Sequence, residues 1–116
     1  MKKTSPPSNQ MAFEGMGAEG EELMSEARLW TELNRFGMWA WWIRTAKADG
    51  DATGYISADA ITHALRREFG IKMSNNMTPC FARIFLEGLS KAEYEKYRPM
   101  IKVGRSKVDT FTGVKL

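Results

Sequence analysis

The chain has 116 residues, enough for one domain, and its 43% hydrophobic and 27% charged residues are those of a globular protein rather than a disordered or fibrous one. A net charge of +3 fits a solvated, mildly basic surface and argues against a nucleic-acid interface as the dominant feature. The single cysteine, Cys80, excludes an internal disulfide and fits an intracellular, cytoplasmic setting.

In chain order, residues 1–20 read as a flexible N-terminal tail. Ser5, Pro6, Pro7, Ser8 and Asn9 break regular structure, and Gly15, Gly17 and Gly20 follow. Lys2 and Lys3 lead into no apolar stretch, so no signal peptide is expected. From Glu21 to Lys47 the pattern predicts one long helix. Leu29, Leu33, Phe36, Ala40 and Ile43 form a stripe at spacings of three and four, with Trp30 and Arg44 on an adjacent one. Trp39, Trp41 and Trp42 are spread around that helix at 100° per residue. A helix apolar on several sides is buried on several sides. Trp30, Trp39, Trp41 and Trp42 are therefore candidate contacts to a partner protein. The longest apolar run, Met38 to Ile43, is far short of a membrane span.

Residues 48–59 are rich in Asp and Gly and predict a loop. Ser57 is placed to cap a helix from Ala58 to Phe69, which Gly70 ends. Thr78-Pro79 predicts a third helix start, carrying Phe81, Ile84, Phe85 and Leu86 until Gly88. Ser90 and Glu93 form a capping box for a fourth helix from Lys91 to Tyr97, stopped by Pro99. The helical domain is thus expected over 21–99. Residues 100–116 form a basic, alternating C-terminal tail, with Phe111 a candidate contact for a segment lying extended on a partner.

The Asp-Gly segment has the spacing of a calcium loop, which places oxygen ligands at alternate positions around a central glycine. Asp49 stands at the first position, Asp51 at the third, Thr53 at the fifth, Gly54 at the sixth, Tyr55 at the seventh and Ser57 at the ninth. The twelfth is Ala60, so the closing bidentate carboxylate is missing. Gly54-Tyr55-Ile56-Ser57-Ala58, then Ile61, His63, Ala64 and Leu65, then Phe69-Gly70 and Lys72-Met73-Ser74, resemble the loop end, exit helix and linker of the EF-hand (calmodulin-like) family. Gly88 to Tyr94 is similar to the back half of a second such loop with no front-half ligands, a pseudo-hand in which Leu89 would pair with Ile56. The resemblance implies an all-α fold: an EF-hand-like pair of helix–loop–helix units with a long Trp-rich first helix and extended tails. It implies a degenerate site at Asp49, Asp51, Thr53, Tyr55 and Ser57, with Ca²⁺ held at low affinity if at all and no other cofactor.

Chemistry for catalysis is not evident. His63 is the sole histidine, no histidine partners Cys80 in the sequence, and no zinc spacing, P-loop or dinucleotide fingerprint occurs. The expectation is a non-enzymatic structural or adaptor subunit, docking in a larger protein assembly through its Trp-rich helix and tails. Two alternatives stand beside it. One is a calcium-responsive sensor binding a target helix. The other is a small nucleic-acid-associated regulator with Arg66, Arg67, Arg105 and Lys107 on phosphates, since Leu33-x-x-Phe36-Gly37-x-Trp39-Ala40 is faintly similar to a phage antitermination motif.

Overall fold

The computed structural model describes residues 12–104; Phe111, Arg105, Lys107 and the rest of the C-terminal tail lie outside them, as do residues 1–11. Five helices follow in order: α1 (Ala12–Leu33), α2 (Met38–Thr53), α3 (Ala58–Phe69), α4 (Met77–Glu87) and α5 (Lys91–Tyr97). Among the described residues the regular structure is all helical, with no strand beyond one isolated bridge, and no helix is long and apolar enough to cross a membrane. Helix α1 packs on α4, α2 on α3, and α3 on α4.

Three boundaries differ from the sequence expectation. Helix α1 begins at Ala12, inside the segment read as a tail. Glycine in a helix costs about 1 kcal/mol relative to alanine, a penalty rather than a prohibition. The long helix expected over 21–47 is two helices. The chain turns at Asn34 (φ 45°), Phe36 (φ 55°) and Gly37 (φ 71°), all left-handed. Asn and Gly adopt that region most readily. Asn34 also supplies the cap that Gly37 lacks: its Oδ1 accepts from the backbone N–H groups of Trp39 (2.8 Å) and Ala40 (3.0 Å).

The third difference is the loop expected over 48–59. Helix α2 continues through Asp49 and Asp51 to Thr53, and Gly54 (φ 77°) ends it, its N–H donating to the Gly50 carbonyl at 2.8 Å. Tertiary packing overrides the turn preference of Asp and Gly here. Ala46 and Gly50 are buried on the inner face of α2. A β-carbon added at Gly50 would lie 3.0 Å from both Ile56 Cδ1 and Met100 Sδ. Glycine thus admits the 56–57 connection and the 98–100 turn close against the helix.

The other local signals hold. Ser57 Oγ accepts from the Ala60 N–H at 3.1 Å, Gly70 ends α3 in the left-handed region, and the Ser90–Glu93 capping box is formed. Ile56 does not pair with Leu89. It forms a parallel bridge with Ile101, its N–H donating to the Met100 carbonyl at 2.9 Å, and both isoleucines are buried. Met100 and Ile101, the first residues of the segment expected to be a tail, are thereby fastened into the fold.

The core is aromatic. Trp42 is fully buried and stacks on Trp39 at 5.1 Å between ring centroids; it meets Phe85 at 5.6 Å and Phe81 at 6.2 Å. Trp30 reaches Phe81 at 5.0 Å and so ties α1 to the same cluster. The one polar atom of Trp42 is satisfied: Nε1 donates to Thr62 Oγ1 at 3.1 Å, and that hydroxyl donates to the Ala58 carbonyl at 2.8 Å.

Candidate interaction surface

The end of α2 was the first candidate, as a metal loop. Asp49, Asp51 and Thr53 lie two residues apart on a helix, so neighbours in that series diverge by about 200° and do not converge on one point. Each is otherwise engaged or directed outward. Thr53 Oγ1 donates to the Asp49 carbonyl at 2.8 Å and accepts from the Tyr55 N–H at 3.1 Å. Asp51 accepts from the Tyr97 hydroxyl at 2.9 Å and pairs with Lys96 at 3.0 Å. Those two donors, Lys96 first, hold its carboxyl below the usual aspartate value. The side chain of Ser57 caps α3, and Tyr55 is exposed. This arrangement does not fit a bound calcium ion, and among the described residues no group of three or more His, Cys, Asp or Glu is placed to hold a metal.

Asp51 instead joins α2 to α5. Lys47 pairs with Glu93 at 2.9 Å, beside the Asp51 contacts. Arg28 of α1 donates to both carboxylate oxygens of Glu87 in α4 (2.7 and 2.9 Å). Arg66 bridges the α3–α4 connection, donating to the Met73 carbonyl at 2.6 Å and to Asn75 at 2.8 Å. His63 is exposed beside Arg66 and Asp59, and the Cys80 thiol is buried.

The tryptophans were the second candidate, as partner contacts. Trp42 lies wholly in the core, which removes it from that role. Trp30, Trp39 and Trp41 are half-buried and packed against the core, Trp41 edge-on to Phe69 at 5.9 Å. What looked like surplus aromatic area is mostly used internally, because the break at 34–37 folds Trp30 and Trp39 onto Phe81 together.

The exposed apolar residues lie elsewhere. Leu29 and Leu33 on α1 are 57% and 58% exposed, and Phe36 in the turn is 84% exposed. They line a shallow groove of about 440 Å³ with Trp30, Met38 and Ile71, and Glu26, Arg35 and Lys72 stand around it. Phe36 is the unusual member. A bulky residue in the left-handed region costs about 1–2 kcal/mol relative to its ordinary conformation, and Phe36 buries little in return. Periodicity placed Leu29, Leu33 and Phe36 on the inward stripe of one helix. The signal to the contrary was the Asn34-x-x-Gly37 spacing, two turn formers that take Phe36 out of the helical register.

Comparison with protein-family models, with curated proteins and with solved structures finds no match.

Proposed function

We propose that the protein is a non-enzymatic binding module, an adaptor subunit that docks onto another polypeptide through the α1–α2 elbow rather than through its tryptophan cluster. The observation that carries this reading is Phe36: a large apolar ring held outside at a strained backbone angle, flanked by exposed Leu29 and Leu33. Backbone strain persists where surrounding structure enforces it, and it concentrates at functional positions. Aromatic anchors with aliphatic neighbours and a charged rim are the composition of a protein-docking patch. We read the Asp-Gly end of α2 as a structural joint between α2, α3 and α5, in place of a calcium site.

Site-specific photo-crosslinking in the host cell tests this reading. A benzophenone side chain is placed at position 36 and, in a parallel variant, at exposed Glu95 on α5. A discrete polypeptide adduct is expected at 36 and not at 95. Equal labelling at both positions, or none at 36, overturns the docking role of the elbow.

A further inference from the structure

We infer that the polypeptide seated on the elbow is a second copy of this chain, lying antiparallel across α1; the inference rests on the docking role proposed above. Glu22, Glu26, Leu29 and Leu33 follow one another at spacings of four, three and four, and all four are exposed. Met24, Ala27 and Thr31, on the opposite side of the same helix, are buried. The outward face of α1 is therefore a continuous stripe with a charge gradient. It is acidic at Glu22 and Glu26 and apolar at Leu29 and Leu33, and beyond the end of α1 Arg35 of the turn and Lys72 of the α3–α4 connection line the same groove as Phe36 and give it a basic end.

That gradient selects the occupant. A uniformly acidic helix would suit Arg35 and Lys72 but would set like charge against Glu22 and Glu26, and a uniformly basic one would do the reverse. A parallel second copy would place Glu26 on Glu26. An antiparallel copy matches at both ends. A two-fold axis through the midpoint of Leu29 and Leu33 sets each Leu29 on the other copy's Leu33. The same operation carries Glu26 opposite position 36, next to Arg35 in the turn that follows α1. The contact is self-complementary, as a two-fold interface must be. Each Phe36 ring then closes one end of the leucine contact, so the strained turn shields the ion pair from water. With one helix face and one turn per copy, the interface is at the small end of the range, and the dimer is weak and concentration-dependent.

Sedimentation equilibrium of the full chain, from low micromolar to near-millimolar concentration, tests the inference with a designed set of charge reversals. The wild type is expected to move from its monomer mass of 13.2 kDa towards twice that value. Glu26→Arg and Arg35→Glu should each weaken self-association about tenfold or more, since each places like charges together at both ends. The equimolar mixture of the two variants, and the double variant, should recover it, because every contact is again between opposite charges. Circular dichroism melting of each variant checks that the fold is kept, and Leu33→Asp supplies a reversal-independent loss of association. A wild type that stays monomeric throughout, reversals without effect, or a double variant that fails to recover overturns the antiparallel dimer. Crosslinking at position 36 separates the two levels. A discrete adduct to a different polypeptide with a monomeric wild type removes the second copy and keeps the adaptor reading, whereas no adduct at all removes both.

Discussion

The connections after α1 and after α2 both change the direction of the chain through left-handed residues, and they use their side chains in opposite ways. The connection after α2 turns at Gly54 and then directs Ile56 inward, where it bridges Ile101 and closes on Gly50. The connection after α1 turns at Asn34 and Gly37 but also holds Phe36 in the left-handed region and leaves its ring outside. Folding accounts for the first in full: burial, a cap and a backbone hydrogen bond follow from the turn. It accounts for Asn34 and Gly37 in the second, through the cap on α2, but not for a phenylalanine between them. The contrast separates apolar residues that stabilise the fold from apolar residues that the fold presents.

The contrast can be broken from the inside first. Trp42→Ala is expected to cost about 3–5 kcal/mol in urea unfolding, since it empties the centre of the aromatic cluster and removes the bond to Thr62. That is a large part of the stability of a domain of this size. Trp42→Ala should therefore unfold the protein, or nearly so. If it instead left stability intact, the tryptophans would belong to a partner surface after all.

The inward connection should be next most sensitive. Gly50→Val is expected to destabilise by about 2 kcal/mol in the same assay, because branched methyl groups cannot be accommodated between Ile56 and Met100 without moving one of them. Tolerance of valine there would show that the 56–101 bridge is loosely held.

The ion pairs that tie α5 to α2 set a smaller, pH-dependent effect. Hydrogen bonds from Lys96 and Tyr97 lower the Asp51 pKa from 3.8, and those from Lys47 and the Ser90 backbone lower that of Glu93 from 4.5. A carboxylate with a depressed folded-state pKa stabilises above its unfolded value and loses that contribution as pH falls through the folded one. Stability should thus be level above the ordinary carboxylate range and decline below it. Asp51→Asn with Glu93→Gln should flatten the decline in melting temperature on acidification; an unchanged acid limb would assign it to other carboxylates. The smallest expected effect is none. Calorimetric titration with millimolar Ca²⁺ should be silent for the wild type and for Ala60→Glu, because the ligand series diverges along α2. Heat of binding in either protein would restore the calcium-loop reading.

Much of the fold was legible in local chemistry. The Ser57 cap, the Gly70 stop and the Ser90–Glu93 box each depend on a few adjacent residues, and each formed where the residues stood. The misreadings share a different cause. The apolar repeat passes through 34–37 without a change of phase, so periodicity alone joined α1 to α2. The Asp-Gly end of α2 looked like a loop because its helical state depends on contacts remote in sequence: Gly50 against Met100 and Asp51 with Tyr97. The pairing of Ile56 with Ile101 rather than Leu89 is likewise set by tertiary packing. The candidate site was hidden for the first of these reasons. Once the helix is broken at Asn34, Leu29, Leu33 and Phe36 change from core positions to surface ones.

The central claim is that Phe36 is present for contact and not for folding, and one substitution addresses it directly. Phe36→Gly relieves a left-handed strain of about 1–2 kcal/mol and adds unfolded-state entropy of about 0.5–1 kcal/mol. Measured by urea unfolding at low protein concentration beside sedimentation equilibrium at high concentration, the variant should be as stable as the wild type or up to about 1.5 kcal/mol more so, while its self-association is lost. A Phe36→Gly protein that is destabilised by more than about 1 kcal/mol, or that associates as the wild type does, would contradict the account.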